Sequence, residues 1–321
     1  MPSLVTYKNP VVSQRADPWI YLHTDGWYYF TASVPAYDGI ELRRAKHIED
    51  LADAQTVTVW EKHDTGEMSC QIWAPEIHYV DGKWYIYFAA GHTMEVFDHR
   101  IYVLESSAEN PLDGPWVEKG RVDTSWDSFA LDATSFVLDG TQYLIWAQHK
   151  QGIPGHSNLY IARMKNPWTL GSEAVMLSRP QFDWECKKFS VNEGPAVIQR
   201  NGKIFISYSA SATDSNYCMG LLWINEGDEV LDASKWFKSG APVFATSEKN
   251  GQYGPGHNSF TVAEDGETDL LVYHARNYEE ISGDELANPD RHTRVQPFTW
   301  DEKGMPLFGE PIPDPGFSSG G

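Results

Sequence analysis

The sequence lacks the features that would place it among disulfide-rich, membrane-spanning or nucleic-acid-binding proteins. Its three cysteines, Cys70, Cys186 and Cys218, are odd in number and show no CxxC spacing, so neither a disulfide framework nor a thiolate metal site is predicted. It contains no run of about 18 apolar residues, which excludes a membrane-spanning helix. With 45 acidic and 25 basic side chains the formal net charge is -20, a charge that disfavours nucleic acid and anionic membranes as partners.

The beginning of the chain also lacks a leader sequence. Residues 1–8 contain no long apolar segment, so no signal peptide is predicted. If Met1 is the native start, the expected location is the cytoplasm, although a secreted protein trimmed of its leader would begin in the same way. The sequence leaves the oligomeric state open.

What the sequence does contain is a repeat. Five segments share a polar start, an apolar strand, an Asp-Gly or Asn-Gly turn and an aromatic-rich strand, with turn glycines at Gly26, Gly82, Gly140, Gly202 and Gly266. Such turns join the strands of tight hairpins. The glycines are 56 to 64 residues apart, which leaves room for two further strands between hairpins. Four strands repeated five times predict an all-β, five-bladed β-propeller, with residues 1–321 as a single domain.

The two ends of the chain are predicted to close this ring. Residues 294–300 have the pattern of one more strand, which we expect to pair with an N-terminal strand around residues 10–12. Closure of this kind removes exposed sheet edges. Only the stretch around residues 45–54 has a brief helical pattern.

The first strand of each blade lines the central channel of a propeller, so its starting residues gather at one mouth. Here these residues are Asp17, Glu76, Asp132, Glu193 and His257, each six to nine residues before its turn glycine. Each alone has a simpler explanation, such as a turn cap for Asp132 or a buried core position for His257. Together, clustered carboxylates raise one another's pKa, so that one stays protonated as an acid while another is ionised as a base. Glycoside hydrolysis needs such a pair.

The motifs around these residues resemble those of the family 43 glycoside hydrolases over about residues 9–306. They are residues 15–18, 73–77, 131–133, 191–195, 254–257 and 291–296. The resemblance implies a five-bladed propeller that inverts anomeric configuration. It implies that Asp17 is the base, that Glu193 is the acid, and that Asp132 orients Glu193 and raises its pKa.

Within the family, residues 14–19, 208–214 and 252–260 most resemble exo-acting α-L-arabinofuranosidases of α-1,5-linked arabino-oligosaccharides. The resemblance also implies an arginine that holds the terminal sugar or Asp17, with Arg291 and Arg294 as the candidates. Glu76, Trp73 and Phe129 are predicted to contact substrate. A Ca²⁺ or Na⁺ ion in the channel, held by His257 and water, is a further implication.

Several alternatives remain open. A β-xylosidase or an endo-arabinanase would use the same carboxylates, whereas a non-catalytic sugar-binding propeller or a protein-interaction propeller would not need them. Residues 184–186 resemble the acid motif of fructan-cleaving propellers. However, Glu185 lies 17 residues before Gly202 whereas Glu193 lies 9 before it, so Glu193 is the predicted acid.

Overall fold

The computed structural model describes residues 5–317, which form five antiparallel sheets around a central channel. The innermost strands contact one another in a ring, from the first blade through the fifth and back to the first. The predicted five-bladed propeller is therefore confirmed. No α-helix occurs in this part of the chain, and the predicted helical stretch contains one short 3-10 turn, Ile48–Leu51.

Within each blade the strands follow one another from the channel outward. The first two blades are β1 (Ala16–Leu22), β2 (Tyr28–Ser33), β3 (Gly39–Ala45) and β4 (Val57–Glu61), then β5 (Cys70–Val80), β6 (Lys83–His92), β7 (Glu95–Ser106) and β8 (Val117–Arg121). The third blade is β9 (Ala130–Leu138), β10 (Thr141–Gln148) and β11 (Asn158–Asn166), with β12 (Thr169–Leu170) and β13 (Val175–Ser178) both paired to β11.

The fourth and fifth blades follow the same order. They are β14 (Asn192–Arg200), β15 (Lys203–Ala210), β16 (Cys218–Asn225) and β17 (Phe237–Lys238), then β18 (Tyr253–Val262), β19 (Asp269–Arg276) and β20 (His292–Pro297). A short ribbon of β21 (Thr299–Trp300) and β22 (Pro306–Leu307) comes last. The other 3-10 turns are Pro111–Asp113, Asp183–Glu185, Ala233–Lys235 and Glu248–Asn250.

The turn chemistry explains the hairpins. Asp81-Gly82, Asp139-Gly140 and Asn201-Gly202 have positive φ at both residues, between 49° and 80°. This is the type I′ geometry that matches the twist of the paired strands. Inner strands are buried on both faces because neighbouring blades pack against each other; every residue of β2 is buried, for example.

The ring closes as predicted, through the N-terminal segment and β20. Val12 forms an antiparallel bridge with Thr293. The Asn9 side chain donates to the Val295 carbonyl at 2.9 Å and accepts from its N–H at 2.8 Å. These contacts tie the first described residues to the last blade.

Each inner strand is interrupted at the same place by a left-handed residue. These residues are Asp17, Ala74, Asp132, Gly194 and His257, with φ between 42° and 55°, and strand pairing shifts beside them. Left-handed backbone is unfavourable for residues other than glycine and tends to concentrate at functional sites. The equivalent positions therefore differ from those predicted in two blades, since Glu76 lies two residues after the irregularity and Glu193 one before it.

Candidate active site

A cavity of about 730 Å³ lies where these irregular strand segments meet. Asp17, Asp132, Glu193, His257 and Arg291 all line it. Four blades therefore contribute charged or titratable side chains to one space, although these residues are far apart in the sequence. The predicted clustering holds for Asp17, Asp132, Glu193 and His257.

Asp17 is held by contacts on both carboxylate oxygens. The Ser33 hydroxyl donates to Oδ2 at 2.6 Å and itself accepts from the Ala74 N–H at 2.8 Å. Arg291 approaches Oδ1 at 3.4 Å, and the backbone N–H of Asp17 donates to His274 Nδ1 at 3.0 Å. These contacts leave the carboxylate one orientation, at the floor of the cavity.

The charges around Asp17 favour its ionised form. Burial alone would raise the pKa of the Asp17 carboxyl, but His257, Arg291 and His274 together hold it well below its ordinary value. Burial also lowers the pKa of both imidazoles, that of His274 to about 3, so they are neutral near neutral pH. Arg291 is therefore the lasting positive charge, and Asp17 is a carboxylate able to accept a proton.

Glu193 has the opposite environment. Desolvation, helped by the negative charge of Asp17, raises the pKa of the Glu193 carboxyl to about 7. The Tyr217 hydroxyl donates to its Oε1 at 3.0 Å and works against that rise. Glu193 can therefore carry a proton at the pH where Asp17 is ionised, which is the division of roles between an acid and a base.

Asp132 joins the two. Its Oδ2 accepts from the N–H of Gly194, the residue after Glu193, at 3.0 Å. Burial, followed by the charges of Glu193 and Asp17, raises the pKa of the Asp132 carboxyl well above its ordinary value. Asp132 thus fixes the backbone beside Glu193 and adds negative charge near it.

His257 lies between the carboxylates, with Nδ1 3.2 Å from Asp17 Oδ1 and 4.0 Å from Asp132 Oδ2. Its ring covers Gly194, where a Cβ would come within 3.0 Å of the ring. In the described part of the chain no group of three His, Cys, Asp or Glu side chains is placed to hold a metal ion. The residues do not fit a calcium ion enclosed by protein oxygens. A hydrated Ca²⁺ or Na⁺ with His257 as its one protein ligand stays a prediction.

The structure separates the two candidate arginines. Arg291 lines the cavity and also donates to the Tyr37 hydroxyl at 2.7 Å. Arg294 is fully buried and pairs with Asp314, so the prediction that Arg294 binds substrate is wrong. Arg291 precedes β20 whereas Arg294 lies within it, and there its side chain is directed to the C-terminal segment instead.

Glu76 is also misplaced by the sequence pattern. It lies outside the cavity lining, is 5% exposed, and pairs with His78 at 2.9 Å. The left-handed residue of that blade is Ala74, so Glu76 lies farther along the strand, away from the cavity. The prediction that Glu76 contacts substrate is therefore wrong.

Trp73 and Phe129 do line the cavity. The Trp73 ring stacks on His99, with centroids 4.0 Å apart and planes 23° apart, which fixes its orientation. Phe97 lies beyond Trp73, 57% exposed, and also lines the cavity. Contact of Trp73 and Phe129 with a sugar stays a prediction.

Sequence reasoning missed Tyr217, Ser33 and His274. Tyr217 reaches Glu193 from the start of the third strand of its blade, while Ser33 and His274 lie on second strands. The repeat compares only first strands, so it carries no signal for these positions. The structure also places Glu193 and not Glu185 at the cavity.

Comparison with known proteins follows from this geometry. The family "Glycosyl hydrolases family 43" matches residues 7–306. An extracellular exo-α-(1→5)-L-arabinofuranosidase of Streptomyces avermitilis is 55% identical over 97% of this chain, which spans 64% of that protein. An enzyme of the same description from Streptomyces chartreusis is 52% identical over 88% of this chain and 86% of its own length. The crystal structure of an α-L-arabinofuranosidase from Lactobacillus brevis is 56% identical, with a TM-score of 0.94 over 96% of this chain and 98% of that one.

These relatives correct the predicted location. Both Streptomyces enzymes are described as extracellular, so the prediction of a cytoplasmic protein is wrong. That prediction depended partly on residues 1–4, which lie outside the described residues. Separately, no helix among residues 5–317 has the length and apolar character needed to cross a membrane.

Proposed function

The chain belongs to family 43 of the glycosyl hydrolases, and from that premise we propose that it is an exo-acting α-L-arabinofuranosidase. It releases L-arabinose, with inversion, from the non-reducing end of α-1,5-linked arabino-oligosaccharides or arabinan. The observation that carries the proposal is the meeting of Asp17, Asp132 and Glu193 in one cavity. Relatives described as arabinofuranosidases are 52% to 56% identical to the chain.

In this mechanism Asp17 is the base. Its ionised carboxylate takes a proton from a water molecule on the face of the sugar opposite the leaving group, and that water attacks the anomeric carbon. Ser33 and Arg291 keep the carboxylate aimed into the cavity. Because water attacks directly, the configuration inverts.

Glu193 is the acid. The pKa of about 7 keeps its carboxyl protonated in mildly acidic solution, so it can give that proton to the oxygen that departs with the rest of the chain. Asp132 holds the neighbouring Gly194 N–H and thereby sets where the Glu193 backbone lies. Arg291 and the buried carboxylates balance the charge that develops in the cavity.

The loop before β20 supports exo cleavage. Asp284, Glu285 and Leu286 line one side of the cavity. The Tyr37 hydroxyl donates to the Leu286 carbonyl at 2.7 Å and accepts from Arg291, which fixes this wall against the catalytic end. A cavity closed on one side accepts the end of a chain and not its middle.

The test compares substrates and products. We expect aryl α-L-arabinofuranoside to be cleaved far faster than aryl β-D-xyloside, with β-L-arabinose as the first product seen by proton NMR. Linear arabinan should yield free arabinose from the start of the reaction. Preference for the xyloside would favour the β-xylosidase alternative, and early release of short oligomers would favour the endo-arabinanase.

The alkaline limb of the pH profile should depend on Tyr217. Because Glu193 must be protonated to act, kcat/KM is expected to fall as pH rises through its pKa of about 7. The Tyr217 hydrogen bond lowers that pKa, so Tyr217→Phe should move the limb to higher pH. The measurement is kcat/KM against pH from about 5 to about 9.

Tyr273→Phe is the matched control for this prediction. Tyr273 is fully buried and donates to Gln296, away from the cavity, so its removal should leave the limb in place. A limb that moves to lower pH in Tyr217→Phe, or that moves equally in both variants, would contradict the assignment of Glu193 as the titrating acid.

A further inference from the structure

A buried charged group lies directly behind the strand that carries Glu193. Glu185, which the sequence pattern set aside as the acid, has no exposed surface. Its Oε1 lies 2.6 Å from Lys238 Nζ and accepts from the Tyr208 hydroxyl at 2.9 Å. Its Oε2 accepts from the N–H groups of Gln181 and Phe182 at 2.8 and 3.0 Å. Every oxygen lone pair of this carboxylate therefore faces a donor or the cation.

Asn192 connects this group to the cavity. Its Nδ2 donates to Glu185 Oε1 at 2.9 Å, and its Oδ1 accepts from Ser178 at 2.7 Å and lies 3.4 Å from Lys238 Nζ. The Asn192 N–H donates to the Ser157 carbonyl at 3.1 Å. Asn192 is fully buried and is followed immediately by Glu193. Both its side chain and its backbone are therefore fixed from behind.

Stability alone explains such an arrangement poorly. Burying an ion pair costs desolvation that its attraction rarely exceeds, and apolar replacements are often as stable. Fully satisfied polar groups of this kind do, however, hold neighbouring side chains in one orientation. The segment from Glu185 to Asn192 also supplies the wall residues Phe189 and Val191, so its placement sets the cavity as well as Glu193.

We propose that Glu185, Lys238 and Asn192 are positioning residues for the acid, holding residues 191–194 so that the Glu193 carboxyl stays at Tyr217. This inference rests on the proposed role of Glu193 as proton donor. It assigns no contact with substrate to the three residues. Their effect is transmitted through the backbone between Asn192 and Gly194, whose other side Asp132 holds.

The test uses leaving groups of different need for protonation. Asn192→Ala and Glu185→Gln should lower kcat/KM for arabinobiose by roughly 10- to 100-fold, since small displacement of a catalytic group has effects of this size. They should change little with a dinitrophenyl arabinofuranoside, which departs without an acid. The double variant Asn192→Ala with Glu185→Gln should lose no more than the larger single loss, because both act through one connection.

Asp269→Asn is the matched control. Asp269 is also a nearly buried carboxylate paired with a cation, Arg200, at 2.9 Å, but it lies at the opposite end of its strand from His274. We expect it to lower the melting temperature without separating the two substrates. If Glu185→Gln fails to fold, Glu185→Gln with Lys238→Met removes both buried charges and is measured in its place.

The outcomes separate this inference from the proposed function. Equal losses on both substrates, or losses no greater than those of Asp269→Asn, would overturn the positioning role. If instead Glu193→Gln itself showed no dependence on the leaving group, the acid assignment would fail before the positioning role was tested.

Discussion

Asp17→Asn is expected to lower kcat by at least about 10²-fold to 10⁴-fold, the range typical for loss of a general base. Asparagine has the same shape and can keep the Ser33 and Arg291 neighbours, but it cannot take a proton from water. Because the change acts on the chemical step, KM for arabinobiose should change little. The measurement is steady-state kinetics on arabinobiose and on an aryl arabinofuranoside, and both should be affected.

An external nucleophile makes this prediction sharper. In Asp17→Ala the space left by the carboxylate admits azide, which needs no base to attack the anomeric carbon. We expect azide to restore turnover and to form the β-L-arabinofuranosyl azide, the inverted product. An α-azide would mean a retained configuration and would contradict the inverting mechanism.

Asp139→Asn is the control for the loss of a carboxylate. Asp139 lies in the type I′ turn between β9 and β10, where asparagine is equally suitable, so activity and melting temperature should match those of the wild type. Asp17→Asn leaves Arg291 buried beside a neutral group, so its melting temperature must be measured beside its activity. Wild-type activity in a folded Asp17→Asn protein would remove Asp17 from the mechanism.

The propeller could be predicted because its signals are local. An Asp-Gly or Asn-Gly turn defines a hairpin wherever it lies, as at Asp139-Gly140, and five evenly spaced hairpins permit few other folds. The ring of inner strands then brings Asp17, Asp132 and Glu193 together without further information. That part of the site followed from spacing alone.

The errors arose where backbone conformation decides the outcome. The left-handed residue of the second blade is Ala74, a residue type with no preference for that conformation, so counting from the turn selected Glu76 instead. Arg291 and Arg294 lie three residues apart across the start of β20, and only the position of Asp314 decides that Arg294 is turned away. Tyr217 reaches the site from the far side of its blade, which no repeat of first strands indicates.

Glu193→Gln is expected to separate substrates by their leaving groups more strongly than any other variant. Cleavage of arabinobiose expels an alkoxide that must be protonated, so kcat/KM should fall by about 10²-fold to 10⁴-fold. A dinitrophenyl leaving group departs as a stable anion, so the same variant should cleave that substrate at a rate close to that of the wild type. Glutamine keeps the size of the side chain and its contact with Tyr217, so the difference measures the proton alone.

The pH profile gives the second part of this prediction. In the wild type kcat/KM should fall above the pKa of about 7 that desolvation gives Glu193, and in Glu193→Gln the alkaline limb should disappear for the dinitrophenyl substrate. Glu226→Gln, an exposed position at the end of β16, should change neither limb nor rate. A uniform loss on both substrates, with the limb retained, would show that another group donates the proton and that Glu193 serves only to bind the sugar.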